Sequence, residues 1–349
     1  MCSYHNFILF DKHFFKKTHN QIKNILSKAA ETLYLSAAKK VDKMTDIIEV
    51  KQLTKKFKIQ KNASSLKGLF KPEYKNVTAV DKISFNIKKG EKVAFIGPNG
   101  AGKSTTIKML SSILYPTSGA AFVNGLIPWE NRRKLAYHIG TVFGQRSQLW
   151  YNLPVQDSFA LMGKIYGLDD VPFKRRLSKL VNLFEIRDLL SHPTRSLSLG
   201  QRMRCEIVAS LLHKPQILFL DEPTIGLDVT AKEIIRNLIK KQALEEDTTL
   251  LLTSHDTDDM EKVCERVIII NKGKIIFDDS IIALRDSYLN KKYIEITTDS
   301  GEKIRKEINT KETSAKQAID ELVQKYHVTD LTIENPPMEE IIKEIYARD

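Results

Sequence analysis

The chain has 349 residues, 42% of them hydrophobic and 28% charged, with a formal net charge of +12. This is an ordinary globular composition, too long for one core without appendages, and no run reaches the ~18 consecutive apolar residues of a membrane span. Cys2, Cys205 and Cys264 are far apart and form no C-x-x-C pair, which argues against a disulfide framework or a zinc site and fits a reducing cytoplasm.

Positive charge is concentrated at the start, where residues 1–43 hold eight lysines against Asp11, Glu31 and Asp42. Phe7 to Phe15 mix aromatics with lysine, and Ile22, Ile25, Leu26, Ala29, Ala30 and Leu33 fit a basic amphipathic helix. Three readings stand for this segment: a membrane-surface helix, a helix docking on a partner, or an extension upstream of a start at Met44. The last is favoured because a complete domain begins directly after Met44. Elsewhere the excess charge reads as a solvated lysine-rich surface.

Ile47–Val50 opens the domain as a strand, a lysine-rich stretch runs from about Lys55 to Lys75, and Ile83–Ile87 alternates as a half-buried strand. Lys88–Glu91 is a tight turn into the buried strand Lys92–Ile96. Gly97-Pro98-Asn99-Gly100-Ala101-Gly102-Lys103-Ser104-Thr105 follows, and a helix begins within it. This is the strand, loop and helix setting that G-x-x-x-x-G-K-[ST] requires. The glycines allow the loop to turn its N–H groups, with the positive helix end, toward a triphosphate. Lys103 reaches the β and γ phosphates and Ser104 holds Mg²⁺ in this reading.

Tyr115–Gly119 reads as a turn and residues 139–143 as a strand ending at Gly144-Gln145. From Val155 to about Leu190 the pattern is helical, with Leu161, Ile165 and Leu168 on one face and Leu177, Leu180, Val181 and Phe184 on another. This reads as a helical subdomain inserted in an α/β core. Leu197–Gln201 precedes a further helix. There Ser198 is either a helix cap or, with the Gly200 N–H, part of an anion site.

Residues 216–220 form an apolar run ending at Asp221-Glu222, and 249–253 another ending before Ser254-His255. Strands alternating with helices imply a parallel sheet whose ligand lies at the carboxyl ends of the strands. The glycine loop, Gln145, Asp221, Glu222 and His255 therefore converge on one edge. Asp221 suits Mg²⁺ and Glu222 a general base, against the alternative that both cap a helix near Pro223. Gln145 and His255 taken singly are weak signals. Beyond Asp278 the core reads as complete. Lys292–Thr298, Lys303–Ile308 and Val328–Glu334 read as strands, and Ser314–Tyr326 and Met338–Ala347 as helices, in a tail for packing or regulation.

Taken together these motifs resemble an ATP-binding cassette (ABC) ATPase over about residues 45–280. Gly97–Thr105 resembles its Walker A, Gln145 its Q-loop, Leu197–Gln201 its signature and Ile217–Glu222 its Walker B. Gly226-Leu227-Asp228 resembles its D-loop and His255 its switch histidine. Phe143–Trp150 and Ser196–Glu206 resemble ATPases of ABC-2 type exporters, in a viologen- or multidrug-export-like subgroup. The resemblance implies an α/β fold: a P-loop ATPase core with a parallel sheet, an antiparallel β subdomain, an inserted helical subdomain at about 146–200, and a small C-terminal α+β domain. The implied boundaries are a 1–43 extension, a 44–280 nucleotide-binding domain and a 281–349 tail.

It further implies ATP and Mg²⁺, with Ser104, Gln145 and Asp221 toward the metal and Glu222, His255, Gln145 and Lys103 in catalysis. Ser198, Gly200, Gln201 and Asp228 would join the ATP site, Ser198 and Gly200 from a partner cassette. Leu199 stands where the family more often has a second glycine. Phe57 by its spacing from the first strand, or Tyr74 by its spacing to Ala79, would stack on adenine. One Walker A and one signature per chain imply a homodimer under a separate ABC-2 type permease at the cytoplasmic face of the membrane, with no nucleic acid partner. Trp150, Tyr151, Leu153 and Phe159 either face that permease or pack the helical subdomain. A polysaccharide- or lipid-exporting ATPase is the alternative, as is a non-transport cassette ATPase. A chromosome-maintenance type would carry a long coiled-coil insert, and a ribosome-binding type two cassettes.

Overall fold

The computed structural model describes residues 46–60, 74–144, 146–287, 291–309 and 315–348. The basic segment 1–43, the lysine-rich residues 61–73 and Gln145 lie outside the described residues. The described residues from Ile48 onward belong to one compact unit. In chain order the elements are β1 (Asp46–Gln60), β2 (Tyr74–Lys88), β3 (Lys92–Ile96), α1 (Lys103–Leu110), β4 (Ser118–Val123), α2 (Arg132–Leu135), β5 (Ile139–Phe143), α3 (Val155–Ile165) and α4 (Asp170–Leu183). Then come α5 (Leu199–Leu211), β6 (Ile217–Asp221), α6 (Val229–Glu245), β7 (Thr249–Ser254), α7 (Thr257–Val263), β8 (Arg266–Asn271), β9 (Lys274–Ser280) and α8 (Ile281–Asp286). The tail holds β10 (Lys291–Thr298), β11 (Lys303–Asn309), α9 (Ala315–Lys325), β12 (Val328–Glu334) and α10 (Met338–Ala347).

The main sheet runs β5-β6-β7-β3-β8-β9. Its strands are parallel from β5 to β8, and β9 returns antiparallel to β8. Every residue of β3, β6 and β7 is buried, which is why these segments read as unbroken apolar runs rather than alternating ones. Register then places the strand ends together: Ile96 faces Ser254, and Asp221 faces both Thr253 and Phe143. A second sheet sets β2 and β4 on either side of β1, with β4 antiparallel to it. Sequence composition reads residues 115–119 as a turn, yet Ser118 already pairs with Thr54. The β8–β9 hairpin, absent from the sequence reading, closes the sheet before the tail begins.

The helical stretch after Val155 breaks between Ile165 and Asp170 into α3 and α4. Phe159, Leu180 and Phe184 are fully buried against α5 residues such as Ile207 and Val208. Each such side chain contributes about 1.5–3 kcal/mol by leaving water. Phe159 therefore packs the core, whereas Trp150, Tyr151 and Leu153 are exposed. In the tail, β11-β10-β12 form an antiparallel sheet covered by α9 through Ile294, Ile296, Ile308, Ala318 and Leu322. Helix α10 sends Met338, Ile341 and Ile342 into the main core, while its Glu340 and Glu344 pair with Arg305 and Lys291 of the small sheet.

His213 joins the helical layer to the sheet. Its ring stacks on Tyr166 at 4.0 Å, and its Nε2–H donates to Ile139 O at 2.9 Å. Burial lowers its pKa from 6.5 to about 4. The unfolded chain thus takes up this proton at a higher pH than the folded one, so stability present above pH 6.5 is lost as the pH falls toward 4. We expect this group to remove up to ~3 kcal/mol over that window. Urea unfolding across the window should show a flatter profile for His213→Gln, and an unchanged slope would contradict a histidine buried neutral.

Candidate active site

The glycine loop leaves β3 at Gly97 and enters α1 at Lys103. Gly102 caps the helix at φ +112 with no side-chain cap, and a Cβ there would sit 2.5 Å from Ala79 O. The loop therefore takes a turn only glycine tolerates and leaves the first N–H groups of α1 without a side-chain partner. Pro98, Asn99 and Gly100 form its exposed lip, while Ala101 and Lys103 are buried. Thr105 follows Ser104 in the first turn of α1. The Lys103 ammonium, 5% exposed, donates to Gly97 O at 2.6 Å and lies 3.4 Å from Pro98 O and 3.5 Å from Glu222 Oε1.

Asp221 ends β6. Its Oδ1 accepts from Ser104 Oγ at 2.9 Å and from Thr253 Oγ1 at 2.6 Å. A hydroxyl beside a carboxylate is a hard-oxygen donor set that suits Mg²⁺. Glu222 stands next at φ +55, a conformation uncommon for a non-glycine residue and costing about 1–3 kcal/mol. Its N–H donates to Thr253 O at 3.1 Å. Its Oε2 lies 2.6 Å from His255 Nδ1. Gly144 donates its N–H to Asp221 O at 2.9 Å, and a Cβ on it would lie 2.4 Å from Glu222 O. Thr253, which holds the Asp221 carboxylate and the Glu222 N–H, and Gly144, which lies against the backbone of both residues, were not singled out from sequence. The only signal was a threonine closing an apolar strand and a glycine ending another.

Ser198, Gly200 and Gln201 sit elsewhere. Ser198 Oγ accepts from Gln201 N at 3.2 Å, and Gln201 Oε1 accepts from Ser198 N at 2.9 Å, a complete capping box on α5. A Cβ on Gly200 would lie 3.2 Å from the Cβ of Ala231. Asp228 caps α6 by accepting from Ala231 N at 2.9 Å. Phe57 lies half-buried on β1 with the Lys55 ammonium 5.2 Å over its ring, and Tyr74 is 60% exposed at the start of β2.

A parallel sheet whose first loop is glycine-rich, with lysine, serine and two carboxylates gathered at its carboxyl edge, defines a P-loop ATPase. The sequence profile of the ABC transporter family matches residues 80–225. The ABC transporter ATP-binding protein NatA of Bacillus subtilis (strain 168) is 34% identical over 218 residues, covering 62% of this chain and 88% of NatA. The probable multidrug ABC transporter ATP-binding protein YbhF of Escherichia coli (strain K12) is 36% identical over 231 residues, which is 66% of this chain but only 36% of YbhF. A dimeric ATP-binding cassette solved in a post-hydrolysis state with ADP and Pi matches with a TM-score of 0.58 and 25% identity, over 67% of this chain and 98% of that one. The chain belongs to the ABC transporter ATP-binding proteins and is an ATPase. No helix among the described residues is long and apolar enough to cross a membrane.

Because Gly144 lies against the Glu222 backbone, Gly144→Ala should force the two strand ends apart. We expect a loss of about 1–3 kcal/mol in urea unfolding, as for other overpacked sites, together with reduced ATP turnover. Unchanged stability and turnover would contradict the close approach.

Proposed function

We propose that the chain is the ATP-hydrolysing subunit of an ABC-2 type exporter, acting as a homodimer beneath a separate permease at the cytoplasmic face of the membrane. The observation that carries the hydrolytic part of this reading is the array Lys103, Glu222 and His255 beside Ser104 and Asp221. The names of NatA and YbhF support transport, and the name of YbhF, a probable multidrug transporter ATP-binding protein, supports a drug-like cargo.

Lys103 and the loop N–H groups hold the phosphates, whose oxygens take the place of the Gly97 and Pro98 carbonyls on the ammonium. Ser104, Asp221 and Gln145 would hold Mg²⁺, which neutralises phosphate charge when bound. Glu222 accepts the proton of the attacking water, and His255 keeps the carboxylate turned toward it. Phe57 or Tyr74 stacks on adenine. The chain holds one glycine loop, Gly97–Thr105, and one Leu197–Gln201 segment, which supports a site completed by Ser198, Gly200 and Gln201 of a second copy. Asp228 joins that site in this reading. Trp150, Tyr151 and Leu153 are exposed at the start of the helical layer and face the permease in this reading.

Glu222→Gln keeps the shape and the acceptor oxygen but not the base. It should bind ATP as wild type does and lose about 10²- to 10⁴-fold in turnover. Phosphate release and nucleotide-binding assays check this, and near wild-type turnover would remove Glu222 from the role.

A further inference from the structure

Helix α5 buries Met203, Cys205, Ile207 and Val208, and in the midst of them Glu206, which is 4% exposed. Glu206 is the single charged residue among the buried residues of this helix. Burial raises its pKa, and a carboxylate in such a place is costly without donors. The donors come from the loop that follows β5. Ser147 Oγ donates to Oε1, and the Gln148 N–H donates to Oε2 at 3.1 Å. Gln148 Nε2 donates in addition to the backbone O of Glu206 at 3.0 Å. The Leu149 N–H donates to Ser147 Oγ at 3.2 Å, and Leu149 itself is buried in the core.

We propose that Glu206 is a positioning residue that clamps the loop carrying Gln145 to the signature helix, so that the two move as one body. Gln145 stands two residues before Ser147, and Ser198 stands eight residues before Glu206, about 12 Å along the helix axis. A displacement of the loop when nucleotide engages its first residues then carries Ser198 and Gly200 with it toward the partner's nucleotide. An apolar side chain would fill this place at lower cost, but it would not set a register between loop and helix. The inference rests on the proposed roles of Gln145 and the signature.

The test uses the full chain with nitroxide labels at Val171 on α4 and Val229 on α6, which are 79% and 82% exposed. Electron–electron distance measurement with a non-hydrolysable ATP analogue should show a shift in wild type. In Glu206→Ala the distribution should broaden and the shift disappear, while analogue affinity stays within about 3-fold. Turnover should fall about 10- to 100-fold, as it does when a reacting geometry slips by an ångström. Glu206→Gln, which keeps an acceptor for Ser147, should fall between. Glu206→Ala with a wild-type shift and turnover overturns the proposal. If that variant does not fold, Ser147→Ala decides: lost shift at retained affinity supports the clamp, and wild-type behaviour overturns it. A wild type that binds the analogue without any shift also overturns it, whereas a wild type that does not bind the analogue contradicts the proposed function instead.

Discussion

One carboxylate oxygen ties the carboxyl edge of the main sheet together. Asp221 Oδ1 receives a hydroxyl from α1 through Ser104 and another from β7 through Thr253. The glycine loop, the acidic strand end and the neighbouring strand are thereby fixed to one point, with charge-assisted bonds of the stronger kind. Glu222 inherits its strained backbone from this arrangement, because its own N–H must reach Thr253 while its peptide lies under Gly144. The strain turns its side chain to where Lys103 and His255 meet it.

Much of this was legible in the sequence because the central strands are buried on both faces. Lys92–Ile96, Ile217–Asp221 and Thr249–Ser254 stand out as apolar runs, and a parallel sheet brings their ends to one edge. What sequence did not show is cross-strand. Thr253 is an ordinary strand residue until register sets it opposite Asp221. Gly144 is an ordinary turn residue until Glu222 O is found against it. The first two residues of β4, Ser118 and Gly119, read as the end of a turn from their composition, although Ser118 pairs with Thr54 of β1. Gln145 lies outside the described residues.

The signature shows a helix cap and a candidate ligand site in the same atoms. Ser198 and Gln201 close a capping box, which by itself explains their identity. A cap residue and a helix N-terminus are also where an anion binds, so the cap is compatible with the phosphate site proposed there. The tail is held by α10, which has an apolar face in the main core and acidic residues on the small sheet, so it is joined to the ATPase by packing as well as by chain.

The central claim is that the nucleotide site is shared between two copies. A mixed dimer with Lys103→Ala in one protomer and Ser198→Arg in the other places both defects in one composite site and leaves the second intact. Each mutant homodimer has two damaged sites. Cross-linking across the dimer interface in the presence of ATP reads closure directly. The shared-site account predicts closure on one ATP for the mixed dimer and none for either homodimer. A mixed dimer that fails to close where wild type does, or a Ser198→Arg homodimer that closes as wild type does, would contradict it.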